Sequence, residues 1–172
     1  LNSQKFESTN MGDINGDGLA DLMMSLRGAD TSVSVDSGAT YIVYGKTDTA
    51  AVNLSALSGA GFTLNGEASS NAGINVSGAG DVNGDGLNDM LIGAPFYGSN
   101  TGRAYVVFGS TNNVSLNLSA VAAGVGGFAI TGGSTGNNFG TSLSNAGDVN
   151  GDGLSDVIVG AYAAGSNAGK EY

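Results

Sequence analysis

The nine residues "DVNGDGLND", Asp81–Asp89, carry carboxylates at positions 1, 5 and 9 and an amide at position 3. Hard cations such as calcium take six to eight oxygen ligands, and alternate side chains at positions 1, 3 and 5 can converge if the backbone curls around the ion. Glycine at position 6 permits the bend. The position 7 carbonyl can add an oxygen, and the position 9 carboxylate can close the sphere. The pattern recurs as "DINGDGLAD" at 13–21 and "DVNGDGLSD" at 148–156. The expected ligands are therefore Asp13, Asn15, Asp17, the Leu19 carbonyl and Asp21; Asp81, Asn83, Asp85, the Leu87 carbonyl and Asp89; and Asp148, Asn150, Asp152, the Leu154 carbonyl and Asp156. Up to three calcium ions follow, one per loop. The position 7 leucine side chain is expected to turn inward and anchor the loop to the core.

An EF-hand would need a bidentate Glu at position 12, between helices. Position 12 here is Met24, Ile92 or Val159, inside an apolar run, so that reading fails. Magnesium suits the loop less well, because it keeps more of its waters. Asp/Asn/Gly turns also form without metal. Threefold recurrence with Asp always at position 9 favours a cation, since three bare carboxylates in one turn repel one another.

Charge agrees with this reading. The chain of 172 residues has a net charge of −10, and nine of its 15 acidic residues lie in the three loops. Three divalent ions would bring the net from −10 to −4. The five basic residues, Lys5, Arg27, Lys46, Arg103 and Lys170, are scattered, which excludes a basic face for nucleic acid or an anionic membrane. No run of 18 apolar residues exists to span a bilayer. The absence of histidine and cysteine removes disulfides, zinc sites, the usual general base and the thiol nucleophile. Serines such as Ser142 and Ser144 have no base in view and no "GxSxG" context, so no enzyme activity is expected.

The elements that position the loops come from repetition. The loops start 68 and 67 residues apart, and the likeness extends beyond them. "GFTLNG" at 61–66 matches "GFAITG" at 127–132, and "NLSAL" at 53–57 matches "NLSAV" at 117–121. "MLIGAPFYGSNTGRAYVVFG" at 90–109 matches "VIVGAYAAGSNAGKEY" at 157–172. Each unit reads as four short strands. One leads into the loop ("FGTSLSNAG", 139–147) and one leaves it ("MLIGA", 90–94; "VIVGA", 157–161). The third is "ATYIVYG" (39–45) or "RAYVVFG" (103–109), and the fourth is "FTLNG" or "FAITG". The runs "YIVY" and "YVVF" fit strands covered on both faces. The residues at 54–58 and 118–123 allow a short helical turn, but the pattern there is too short to establish one. Glycine, at 31 residues, supplies the tight turns. The predicted fold is all-β, built of four-stranded antiparallel β-propeller blades. The units are about 1–66, 67–132 and 133–172, with the third incomplete and ending within its third strand at "GKEY".

The combination "FG…GDVNGDGLSDVIVGA" at 139–161, with "GAP" at 93–95, resembles the FG-GAP repeat of integrin α-subunit propellers and their bacterial relatives. The resemblance implies seven-bladed rings, with a calcium loop between the first and second strands of a blade and the same fifteen ligands. The copies depart from the pattern in places. The first has "SLR" at 25–27 for "GAP", the second "AG" at 72–73 for "FG", and the third "GAY" at 160–162. The closeness of the copies and the low Lys and Cys content look more like secreted bacterial surface proteins than an animal integrin.

The expected function is a calcium-stabilised adhesion or binding module at the cell surface or outside the cell, with a protein or glycan ligand. The binding loops would be the connections 27–38 and 95–102 and the tail 162–168, where Phe96, Tyr97 and Tyr162 could stack on sugars. The alternatives are a self-assembling structural protein whose open blades pair between chains, a piece of a larger propeller, and a non-catalytic accessory part of a secreted hydrolase. "NLS" at 53–55 and 117–119 matches a glycosylation sequon, but such matches are frequent in an Asn/Ser-rich chain.

Overall fold

The structure, a computed structural model, describes residues 6–31, 34–112 and 114–172. Lys5 and part of the 27–38 connection lie outside the described residues. Among the described residues, twelve strands form three sheets. The first holds β1 (Phe6–Gly12), β2 (Asp21–Leu26), β3 (Ala39–Val43) and β4 (Gly61–Asn65) as an antiparallel meander. The second repeats it with β5 (Val76–Gly80), β6 (Asp89–Ala94), β7 (Arg103–Val107) and, after the short β8 (Leu116–Asn117), β9 (Gly127–Thr131). The third holds β10 (Phe139–Gly147), β11 (Asp156–Ala161) and β12 (Lys170–Glu171). The architecture is all-β, consistent with partial propeller blades.

The sheets stack in chain order, with the leading strands β1, β5 and β10 side by side. Strand alternation decides which residues meet, because successive side chains point to opposite faces. Met23 and Ile42 face the second sheet, where they meet Met90, Ile92, Tyr105 and Val107 in one core. Leu91, Ala104 and Val106 point the other way and meet Phe139, Leu143 and Val159 in a second core. The middle sheet is thus covered on both faces, and all six residues of β6 are buried. Full burial of an aliphatic side chain such as Leu91 or Ile92 contributes about 1.5–3 kcal/mol. β3 differs: Tyr41 and Val43 are only half-buried, because the first sheet has a neighbour on one face. Two-sided burial of the "YVVF" run is found, and that of "YIVY" is not.

The polar connection of the second unit does more than link strands. β8 joins the outer edge of the first sheet, parallel to β4, pairing Leu64 with Leu116 and Asn65 with Asn117. The helix α2 (Leu118–Ala122) follows and buries Leu118 and Val121 completely. This is one of the two places where the sequence allowed a short helical turn. Its counterpart at 54–58 forms no helix; an N–H···O bond from Ala56 to Asn53 makes a turn instead. The β2–β3 type connections contain short turns not anticipated from the sequence, α1 (Tyr97–Asn100) and α3 (Ala164–Asn167). α1 is a tight reversal rather than a regular helix, since Gly98 and Ser99 have left-handed backbones.

Candidate metal centre

Each acidic loop leaves its first strand through a bulge at the preceding glycine. Register shifts between Asn10 and Gly12, Gly78 and Gly80, and Asn145 and Gly147. Gly12, Gly80 and Gly147 have φ of 77°, 73° and 71°, a region that favours glycine. The "GD" step is the sequence signal for this bulge, and the motif reading passed over its glycine.

The three loops then share one hydrogen-bond pattern. In the second, the Gly84 and Asp85 N–H groups donate to Asp81 Oδ1 at 2.7 and 3.2 Å, and Gly86 N–H donates to Asp81 Oδ2 at 2.9 Å. Asp85 N–H also donates to Asn83 Oδ1, Asn83 Nδ2 donates to Asp85 Oδ2, and Leu87 N–H donates to Asp85 Oδ1. The loops at Asp13 and Asp148 repeat these bonds one for one. The N–H groups of Gly18 and its neighbours hold the Asp13 carboxyl below the usual carboxylate range.

The ninth position behaves differently. Asp21 and Asp89 open the second strand of their sheets and are buried, at 2% and 0% exposure. Asp89 accepts from Val82 N–H through Oδ2 and from Gly109 N–H through Oδ1, both at 2.8 Å. Asp21 does the same with Ile14 and Gly45. Each carboxylate thereby ties the loop's second residue to the end of the third strand. Burial pushes both carboxyls up, against the pull of those N–H groups. Asp156 accepts from the Val149 and Asn150 N–H groups.

The leucine at position 7 does not enter the core as expected. It leans on the loop before it. Leu87 Cδ2 and Leu154 Cδ2 lie 3.2 and 3.1 Å from where a β-carbon on Gly16 and Gly84 would stand. The residue that enters the core is at position 2, where Ile14 is fully buried. A leucine carries no label of direction in the sequence, and the neighbouring loop supplies its contact surface.

All fifteen expected ligands lie in these three equivalent loops, where the third and fifth side chains bond each other and the first accepts from the loop's backbone N–H groups. Among the described residues, no group of three or more acidic side chains closes on a common point. Neither of the two ion pairs among those residues, Lys46–Asp48 and Arg103–Glu67, involves a loop carboxylate. The donor set is oxygen only and carries three uncompensated negative charges per loop, which suits a hard divalent cation.

Residues 72–107 and 139–171 match the FG-GAP repeat model. These two stretches are similar to FG-GAP repeats. It is 32% identical over 160 residues to integrin alpha-PS5 of Drosophila melanogaster, an overlap covering 88% of this chain and 14% of that protein. It is 37% identical over 98 residues to integrin alpha pat-2 of Caenorhabditis elegans, covering 54% of this chain and 7% of that one. It is 30% identical over 155 residues to integrin alpha-4 of Xenopus laevis, covering 90% and 14%. The chain thus spans 7–14% of the length of these relatives. The first acidic loop, with its divergent "SLR", lies outside the matched FG-GAP residues.

At the end of the sheets opposite the acidic loops, the second unit presents its β6–β7 connection. Of the three aromatics there that could stack on a ligand, Phe96 and Tyr162 are exposed, at 41% and 60%. Tyr97 is engaged, because the Arg103 guanidinium lies 3.6 Å from its ring centroid. Arg103 also donates to Glu67 Oε1 at 2.7 Å, and Tyr105 Oη donates to the same oxygen at 2.6 Å. Sequence reasoning missed this cluster. Glu67 stands where the next repeat has Gly133, so repetition gives no hint of it. Among the described residues, no helix is long and apolar enough to cross a membrane.

Proposed function

We propose that this chain is a calcium-stabilised FG-GAP propeller segment of an extracellular or cell-surface adhesion protein. One observation carries the calcium reading: three loops repeat the same bond pattern, each with three carboxylates and, among the described residues, no ion-pair partner. Asp81, Asn83, Asp85, the Leu87 carbonyl and Asp89, with their equivalents, would hold the ion. Bound calcium would neutralise the carboxylates and fix the loop. The protein's own part is preorganisation, since backbone N–H groups already hold Asp81 and Asp85 against the turn. Outside cells calcium is plentiful, so sites of modest affinity fill there.

Adhesion rests on the likeness to integrin α chains. The binding surface would be the β2–β3 type connections, with Phe96 and Tyr162 facing a protein or glycan. The closeness of the copies and the low lysine and cysteine content favour the secreted bacterial form of the family. Calorimetric titration with calcium tests the first claim: binding near three equivalents and a higher melting temperature than in chelator are expected. Absence of both overturns it. A glycan and matrix-protein array, with Phe96→Ala and Tyr162→Ala as controls, tests the second; no binding to either class overturns it.

A further inference from the structure

An asparagine side-chain amide is most open to attack by its own backbone when glycine follows it, because glycine puts no side chain in the way of the approaching nitrogen and leaves φ free. The chain has four such steps: Asn15–Gly16, Asn65–Gly66, Asn83–Gly84 and Asn150–Gly151. Three of them are positions 3 and 4 of the acidic loops. The fourth lies at the end of β4.

The loops surround the reacting atoms with the groups such an attack needs. The Gly84 N–H, which must lose its proton, donates to Asp81 Oδ1 at 2.7 Å. Asn83 Oδ1, where negative charge builds as the amide is attacked, accepts from the Asp85 N–H at 3.0 Å. The departing nitrogen, Asn83 Nδ2, donates to Asp85 Oδ2 at 2.9 Å. Asn15 and Asn150 have the same three bonds, and the Gly16 and Gly151 N–H groups each lie 2.7 Å from Oδ1 of Asp13 and Asp148. All three glycines are exposed, so water reaches the peptide. Asn65 is held differently. Gly66 is buried, and its N–H donates to the Gly38 carbonyl at 2.9 Å, an acceptor that takes no proton. Asn65 Nδ2 is fixed on Asn117 Oδ1 at 3.2 Å.

We propose that position 3 of each acidic loop is a self-modification site, where the folded loop converts Asn15, Asn83 and Asn150 to aspartyl and isoaspartyl residues. In the second loop the Gly84 N–H proton passes to Asp81 and the Gly84 nitrogen bonds to Asn83 Cγ. The Cγ–Nδ2 bond then breaks, and ammonia leaves with the proton that Asp81 returns. Water opens the resulting cyclic imide, at Cγ to give aspartate and at the backbone carbonyl carbon to give isoaspartate. The sum is amide plus water to carboxylate plus ammonium, with no change in oxidation state. Held geometry makes the attack intramolecular and pre-oriented, which is where the acceleration comes from. The product loop carries four carboxylates instead of three and loses the Nδ2 donation to Asp85. No metal ion takes part, so the proposal does not depend on bound calcium.

Peptide mapping by mass spectrometry tests it, reading the mass gained when an amide becomes an acid. The full chain is held in chelator at neutral pH, either at a temperature where circular dichroism shows it folded or unfolded in urea at that same temperature. Isomerisation at the neighbouring Asp–Gly steps leaves the mass unchanged and does not enter. Asn15, Asn83 and Asn150 should convert several-fold faster folded than unfolded, and Asn65 should show the reverse. Asp81→Asn keeps an oxygen to accept the Gly84 N–H but no group to take its proton. It should slow conversion at Asn83 about tenfold or more. Asn15 and Asn150 in the same molecule should keep their former rates, which also reports that the fold survives. Conversion of the loop asparagines no faster in the folded chain than in urea overturns the proposal, and so does an Asn83 rate that Asp81→Asn leaves unchanged.

Discussion

Ser155 occupies the space that a side chain on Gly80 would need. A β-carbon there would overlap Ser155 Oγ, and Asn145 Nδ2 would lie 2.7 Å away. Both residues belong to the third unit, so Gly80 serves two ends at once. It makes the bulge, and it admits the next loop. Gly147 has the same left-handed backbone, with φ of 71°, but nothing lies within 4 Å of its β-carbon position. The two can therefore be compared as strain with and without a clash. Gly147→Ala should cost about 1–2 kcal/mol from backbone strain alone. Gly80→Ala should cost about 1–3 kcal/mol more, because the inter-sheet seam must open. Denaturant midpoints of the two variants measure the difference; equal losses would show that the seam does not constrain Gly80.

Positions 5 and 9 of the acidic loop separate metal binding from folding. Asp85 is exposed and bonds only within its loop, whereas Asp89 is buried and holds Val82 and Gly109. Asp85→Asn should lose one equivalent of calcium binding and lower the melting temperature only when calcium is present. Asp89→Ala should lower it in chelator as well, by a loss of about 1–3 kcal/mol, since the part-buried Val82 N–H and the buried Gly109 N–H lose their acceptor. Thermal melts of both variants, with and without chelator, read the contrast directly.

The strands were legible in the sequence because each unit repeats its apolar runs, and "MLIGA", "RAYVVFG" and "FAITG" all lie on strands where the pattern places them. What one unit does to the next was not legible. The parallel pairing of β8 with β4, the leaning of Leu87 on Gly16 and the half-exposure of Tyr41 all depend on which sheet stands beside which residue. The same limit hid the place of Asp89, whose motif position marks an oxygen donor but whose bonds make it a clamp on β7. Glu67 was invisible for the opposite reason, as a single unrepeated residue in a linker.

Glu67 ties the linker between the first two sheets to β7. Its Oε1 accepts from both Arg103 and Tyr105, and the Glu67 and Arg103 side chains are only 19% and 15% exposed. Removing the carboxylate strands a largely buried guanidinium and a buried hydroxyl. Glu67→Ala should cost about 1–3 kcal/mol. Tyr105→Phe should cost less, about 1 kcal/mol, because the ring stays packed and only one bond is lost. In a double-mutant cycle the two losses should be less than additive, since they share one oxygen. Additive losses would place Tyr105 and Glu67 outside a common network.

The buried tyrosines set an alkaline limit on stability. Burial pushes the Tyr44 hydroxyl up from 10.0 to about 12, with the Asp21 and Asp17 charges adding to the effect. Burial and then the bond to Glu67 raise Tyr105 as well. Both groups thus hold their protons in the folded state at pH values where the unfolded chain releases them. The unfolded state binds fewer protons above pH 10, so stability falls as pH rises. The contribution is intact below about pH 10 and is lost progressively toward about pH 12 for Tyr44. Denaturant midpoints between pH 8 and about pH 11.5 should show a plateau followed by a decline. Tyr44→Phe should make that decline shallower without removing it, because Tyr105 still titrates only on unfolding. An unchanged slope in Tyr44→Phe would show that this hydroxyl ionises as readily in the fold as outside it.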